Sequence, residues 1–190
     1  MRTCLRVYFV YLCTYLMKTI EIRRHSIRSQ PGNHLNQSGV TLARLVGENL
    51  GPFDRVVTSP LPRALETAIA MGFAVDEQIE LMSSYSDSVE REISWPQPFR
   101  AYARAVKPGT AAGRYASQLA EYYQELAAYL AEGRAALVVN HGGVLELGIV
   151  ASFPDANYEA WGKAVDYCEG ARLFWEAGTC VNAELLRVSR

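Results

Sequence analysis

Segments of strand length and segments of helical period alternate along this chain, and the alternation confines it to a layered α/β fold. Thr19 to Arg24 carries Ile20 and Ile22 at alternate positions and reads as a strand with one buried face. After the polar loop Ser29 to His34, Asn36 offers an N-cap to a helix. That helix keeps Leu42, Leu45, Val46 and Leu50 at helical spacing and ends at Gly51-Pro52. Phe53 to Thr58 is a second strand centred on Val56 and Val57. Ser59-Pro60-Leu61-Pro62 then turns the chain into a helix that buries Leu65, Ala68 and Ile69 and stops at Gly72. Phe73 to Val75 reads as a brief strand. Ser117 to Ala131 is an amphipathic helix with Leu119, Tyr122, Tyr123, Leu126 and Leu130 on one side. Ala136 to Asn140 is a buried strand, Val144 to Ser152 restarts a helix, and Ala171–Glu176 with Val181–Val188 forms a hairpin around Ala177-Gly178-Thr179. The predicted architecture is a three-layer α/β/α sandwich with a mostly parallel central sheet. It forms one domain over residues 17–190, with an irregular, aromatic- and arginine-rich insertion at about 77–115.

Length and charge narrow the function. A chain of 190 residues suits one domain with a real core. The net charge of -1 gives no global field for nucleic acid or an anionic membrane, so neither is an expected partner and any anion site must come from local clustering. Cys4, Cys13, Cys168 and Cys180 show no C-x-x-C spacing, which favours reduced thiols in a cytoplasmic protein. Residues 1–16 contain Arg2 and Arg6, and an apolar run from Val7 to Met17 broken only by Thr14. The run lacks a signal-peptidase-like site and is too short to span a bilayer, so Met17 is the favoured start, with residues 1–16 as an extension upstream of it.

Reactive residues gather at strand ends. In such sheets ligands bind beyond the carboxyl ends of the strands. Arg24-His25 follows the first strand, Ser59 to Arg63 the second, and His141 the Ala136 strand. Arg23, Arg24 and Arg28 crowd a single strand end, which is costly unless an anion sits among them, although solvated surface charges would give the same stretch. The helix near Pro62 turns its N-terminal dipole to this crevice. Gly142-Gly143 clears side chains where backbone must approach a ligand. His34 lies in a Pro-Gly-Asn loop and reads as exposed. A metal site is not expected, because no carboxylate accompanies the histidines at ligand spacing.

The ordered set Arg24-His25-Ser26-Ile27-Arg28, Leu35-Asn36-Gln37-Ser38-Gly39, Ser59-Pro60-Leu61-Pro62-Arg63-Ala64-Leu65-Glu66-Thr67-Ala68 and Val138-Val139-Asn140-His141-Gly142-Gly143 resembles the histidine phosphatase superfamily, phosphoglycerate mutase-like proteins included. The resemblance implies a phosphoglycerate mutase-like fold, His25 as a nucleophile that becomes a phosphohistidine, and no cofactor. It assigns Arg24, Arg28 and Arg63, with His141 as imidazolium, to the phosphoryl oxygens, a task suited to permanently charged guanidinium forks. Two positions depart from the family pattern. Ser26 stands where the family usually has glycine, and its hydroxyl could face the phosphate. The general acid falls nearest in register to Glu80, with Asp87 and Glu90 as the other candidates.

The expected activity is that of a metal-independent, histidine acid phosphatase-like phosphomonoesterase acting on a phosphorylated small molecule or phosphoprotein. A phosphoglycerate mutase-type phosphotransferase and a protein phosphohistidine phosphatase are alternatives, as is a non-catalytic phosphate-binding regulatory module. Arg91, Arg100, Arg104 and Lys107 would suit a substrate with further negative charge, or simply a solvated lid.

Overall fold

The computed structural model describes residues 17–188; Met1 to Leu16, with Cys4 and Cys13, lie outside them. Strands β1 (Lys18–Arg24), β2 (Arg55–Thr58), β3 (Glu77–Gln78), β4 (Ala135–Asn140), β5 (Gly170–Glu176) and β6 (Thr179–Leu186) form one sheet in the order β3-β2-β4-β1-β5-β6. The first four pair in parallel, and β5 and β6 complete one edge antiparallel. The sheet is mostly parallel, with helices on both faces.

Strand alternation sends neighbouring side chains to opposite layers. Val56, Leu137 and Val139 pack with Ala43, Ala64 and Ala68 from helices α1 (Gln37–Gly47) and α2 (Pro62–Ala70). On the other face Ile20, Ile22, Val57 and Val138 meet the layer that contains α3 (Asp87–Glu92), α4 (Phe99–Ala105), α5 (Ala111–Tyr129), α6 (Val144–Ser152) and α7 (Tyr158–Trp161). No helix among the described residues is long and apolar enough to cross a membrane.

Several elements differ from the sequence reading. β1 is central and buries both faces rather than one. Its second face carries Glu21, 1% exposed, which accepts Arg23 Nε at 2.6 Å and Arg172 Nη2 at 2.7 Å, so a polar pattern hid a buried ion cluster. Phe73 to Val75 is not a strand; pairing with β2 begins only at Glu77, while Phe73 and Val75 pack against the α1–α2 core. Helix α1 ends at Gly47, where a Cβ would lie 2.2 Å from the Met71 carbonyl oxygen, before the expected Gly51-Pro52 stop. Helix α5 starts six residues earlier than expected, capped by Thr110, whose hydroxyl accepts the Gly113 amide. The insertion is part of the core, since Met82, Val89, Phe99 and Tyr102 are fully or almost fully buried.

Candidate active site

The sheet order brings three strand ends together. β4 lies between β1 and β2, in a register that pairs Arg24 with Asn140 and Thr58 with Val139. The His25 amide donates to Asn140 O at 2.9 Å, and the Ser59 amide to Val139 O at 3.0 Å. His25 and His141 therefore emerge side by side, their ring centroids 5.2 Å apart.

Hydrogen bonding fixes both tautomers. His25 Nδ1 lies 2.7 Å from Ser26 O, and a carbonyl can only accept, so Nδ1 carries the proton and Nε2 keeps a lone pair. Burial pushes the His25 pKa down to about 3, against the raising effect of the hydrogen bond to Ser26 O and helped less strongly by the charges of Arg24, Arg63 and Arg28. A neutral imidazole with a free Nε2 is nucleophilic at neutral pH. In His141, Arg63 Nε donates to Nδ1 at 3.2 Å, so the ring's proton is on Nε2 and is given to Ser59 Oγ at 2.6 Å. Burial, then Arg63, His25 and Arg24, push its pKa down to about 2. His141 is thus held as a neutral donor here, where an imidazolium was expected.

The guanidiniums surround this pair. Burial and the neighbouring charges of Arg28 and Arg24 lower the Arg63 pKa, a mutual repulsion that an anion would relieve. Arg63 also donates to Asn33 Oδ1 at 2.8 Å, and Arg28 to the Gly32 carbonyl, so the Ser29–Leu35 loop orients both. Glu66 holds that loop to α2 by accepting the Leu35 amide and pairing with His34, whose side chain is 70% exposed, as its sequence position implied. Arg24 is buried between two aromatic faces, its Cζ 4.3 Å from the Trp95 centroid and 4.2 Å from that of Tyr167. Its Nη1 donates to Val165 O at 3.3 Å and lies 3.7 Å from Asp166 Oδ1.

Ser26 does not face the phosphate position. Its hydroxyl donates to Gly39 O at 2.7 Å, and its amide donates to Thr67 Oγ1 at 2.8 Å, which in turn donates to Arg63 O. Asn36 caps α1 by accepting the Gly39 amide, and a Cβ on Gly39 would lie 1.9 Å from Ile27 O. The Leu35–Gly39 motif thus packs the helix start against the loop that carries Arg28.

The carboxylates expected as acid lie on the segment that follows β3, whose Ile79 amide donates to Thr58 O at 2.8 Å. Glu80 is exposed in a 3-10 turn (Glu80–Met82) and accepts the Ser83 hydroxyl at 3.1 Å. Asp87 is exposed in the first turn of α3, and Glu90 sits beside the Tyr85 phenol, whose pKa burial and this carboxylate raise. Three side chains had no assigned role in the sequence, Tyr167, Asn33 and Glu146, and Trp95 lay in the aromatic-rich insertion without a settled one. A Cβ on Gly142 would lie 2.3 Å from Trp95 Nε1, so the Gly142-Gly143 pair was a usable signal that a bulky group covers the turn. Glu146 is fully buried, and its oxygens accept the Gly143 amide at 2.6 Å and the Val165 amide at 3.1 Å. Beyond Arg24 and Trp95 opens a cleft of about 640 Å³ whose walls include Pro98, Arg100, Tyr158 and Lys163. Arg100 is ion-paired there with Glu159 at 2.6 Å, while Arg104 and Lys107 do not line it. Among the described residues no group of three or more His, Cys, Asp or Glu side chains could hold a metal ion.

A mostly parallel sheet whose strand ends hold an imidazole lone pair among guanidiniums is suited to binding and attacking a phosphoryl group. The sequence profile of the histidine phosphatase superfamily (branch 1) matches residues 19–185, and the chain belongs to that family. No curated protein is significantly similar in sequence. Among solved structures, phosphoserine phosphatase from Entamoeba histolytica, in complex with 3-phosphoglyceric acid, superposes with a TM-score of 0.66 at 17% identity, covering 90% of this chain and 98% of that one. A mycobacterial glucosyl-3-phosphoglycerate phosphatase bound to VO3 gives 0.65 at 19% identity, with 92% and 100% covered. Phosphoglycerate mutase from Bacillus anthracis gives 0.63 at 14% identity, with 93% and 95% covered. The fold is that of phosphoglycerate mutase-like proteins, and the family supports phosphoryl transfer or hydrolysis as the general activity.

Proposed function

We propose that the chain is a phosphomonoesterase that works through a phosphohistidine on His25 and needs no metal or cofactor for the transfer. One observation carries the reading: His25 Nδ1–H is fixed by Ser26 O, which leaves Nε2 free amid the positive charges of Arg24, Arg63 and Arg28. Nε2 attacks phosphorus while Arg24, Arg28 and Arg63 hold the equatorial oxygens. His141 donates its Nε2–H to the same group, exchanging Ser59 Oγ for a phosphoryl oxygen. Fixed donors of this kind favour an in-line transfer, because negative charge resides on those oxygens throughout. Water then cleaves the phosphohistidine.

A small phosphorylated molecule suits the site better than a phosphoprotein. The cleft beside Arg24 is of ligand size, and phosphatases of similar fold carry small phosphorylated molecules in their names. A cytoplasmic location is part of this proposal and rests on the cysteine spacing. The test is hydrolysis of p-nitrophenyl phosphate in EDTA by the purified chain and by His25→Ala. Activity is expected in the first and a loss of at least about 10³-fold in the second. An inactive wild type, or an active His25→Ala, refutes the reading.

A further inference from the structure

The leaving oxygen of an alkyl phosphate needs a proton, and the two carboxylates that act on Arg24, Glu146 and Asp166, are both engaged by backbone amides. Both oxygens of Glu146 are occupied by backbone amides. Asp166 lies 3.7 Å from Arg24 Nη1 and accepts the Tyr167 amide at 2.8 Å.

We propose, on the phosphohistidine reading above, that Tyr167 donates the proton to the leaving oxygen. Its ring centroid lies 5.8 Å from that of His25, and Arg24 stacks on its face. The hydroxyl is near enough to help keep the Arg24 guanidinium charged. The segment that carries it is held firmly. Cys168 N donates to Arg24 O at 3.1 Å, Glu169 N to Asp166 O at 3.1 Å, and Asp166 N to Glu169 Oε2 at 2.8 Å. Cys168 adopts a left-handed conformation (φ 59), a strained turn for a non-glycine residue of the kind found where a neighbouring side chain must be aimed.

The step balances. His25 Nε2 forms the N–P bond, the P–O bond to the leaving group breaks, and its oxygen takes the phenolic proton of Tyr167. The phenolate is left beside Arg24. In the second half, water attacks phosphorus and gives its proton to that phenolate, and the N–P electron pair returns to Nε2. The sum is ester plus water giving alcohol plus phosphate. A phenol is far more acidic than an alcohol, so proton transfer to a departing alkoxide is downhill. A p-nitrophenolate group departs without that help.

The test compares kcat/KM for glycerol 2-phosphate and p-nitrophenyl phosphate, in wild type, Tyr167→Phe, Glu80→Gln and His25→Ala. Phenylalanine keeps the ring against Arg24 and His25, so a purely structural loss lowers both esters alike. The proposal expects the alkyl-to-aryl ratio to fall about 100-fold in Tyr167→Phe and to stay unchanged in Glu80→Gln. An unchanged ratio in Tyr167→Phe overturns it, as does a similar fall in Glu80→Gln, or a wild type that hydrolyses only the aryl ester. Activity that survives His25→Ala refutes instead the phosphohistidine reading on which the proposal stands.

Discussion

Replacing Ser26 by glycine tests whether this position is an impaired catalytic element or a structural tie. The Ser26 side chain is fully buried, its hydroxyl engaged with Gly39 O, and the residue is not among those with positive φ. Glycine's freedom is therefore not required here. Ser26→Gly removes one neutral buried hydrogen bond, worth about 0.5–1.5 kcal/mol. It also adds conformational freedom to the unfolded chain, worth about 0.5–1 kcal/mol. The sum is about 1–2.5 kcal/mol, which lowers Tm by about 2–10 °C in a chain of this size. Because the hydroxyl points into the α1 start, kcat/KM for p-nitrophenyl phosphate should stay within about threefold. Thermal unfolding and steady-state kinetics on the same preparation read both quantities. A glycine variant at least tenfold more active, or one as stable as wild type, would refute this account of Ser26.

Three further outcomes follow from the geometry. Trp95→Ala removes one face of the Arg24 clamp; a cation–π contact of about 0.5–2 kcal/mol corresponds to a fall in kcat/KM of about 2- to 30-fold, measured with unchanged far-UV circular dichroism. The buried histidines are held neutral, so ¹⁵N shifts should show His25 with Nδ1–H and His141 with Nε2–H even at pH 5 without phosphate. Their folded pKa values, about 3 and about 2, lie below the ordinary 6.5, so the unfolded chain binds more protons as pH falls from about 6.5. Each then removes up to about 1.4 kcal/mol of stability per pH unit, seen as a falling urea midpoint that flattens in His25→Asn. Glu21→Leu leaves the buried Arg23 with the Cys168 carbonyl but no carboxylate, while the half-exposed Arg172 can turn to water, and it should cost about 3 kcal/mol in urea unfolding.

How much of this was legible in the sequence depended on whether function was carried by local order. His25, Arg63 and His141 each follow a strand within a few residues, so alternation of elements was enough to place them in one crevice. Asn36, Pro62 and Gly39 announced helix starts through local capping chemistry. Tyr167 was invisible for the opposite reason: it reaches Arg24 across 143 residues of chain, and nothing local distinguishes it from a core aromatic. The aromatic-rich insertion was ambiguous, since Trp95 covers Arg24 while Phe99 and Tyr102 are core. Glu21 and Arg23 read as a solvated face because periodicity cannot tell a charge in water from one paired under a helix layer. Glu80 was chosen by register alone, and register does not report the direction of a side chain.

The central claim is that His25 Nε2 accepts the phosphoryl group. The most direct measurement is acid-free rapid quenching of the full chain with ³²P-labelled p-nitrophenyl phosphate, followed by peptide mapping of the base-stable label. The account predicts label on the peptide containing His25 in wild type, more of it in variants slowed at hydrolysis, and none in His25→Ala. Label on His141, or turnover with no covalent label in wild type and label-independent activity in His25→Ala, would contradict it.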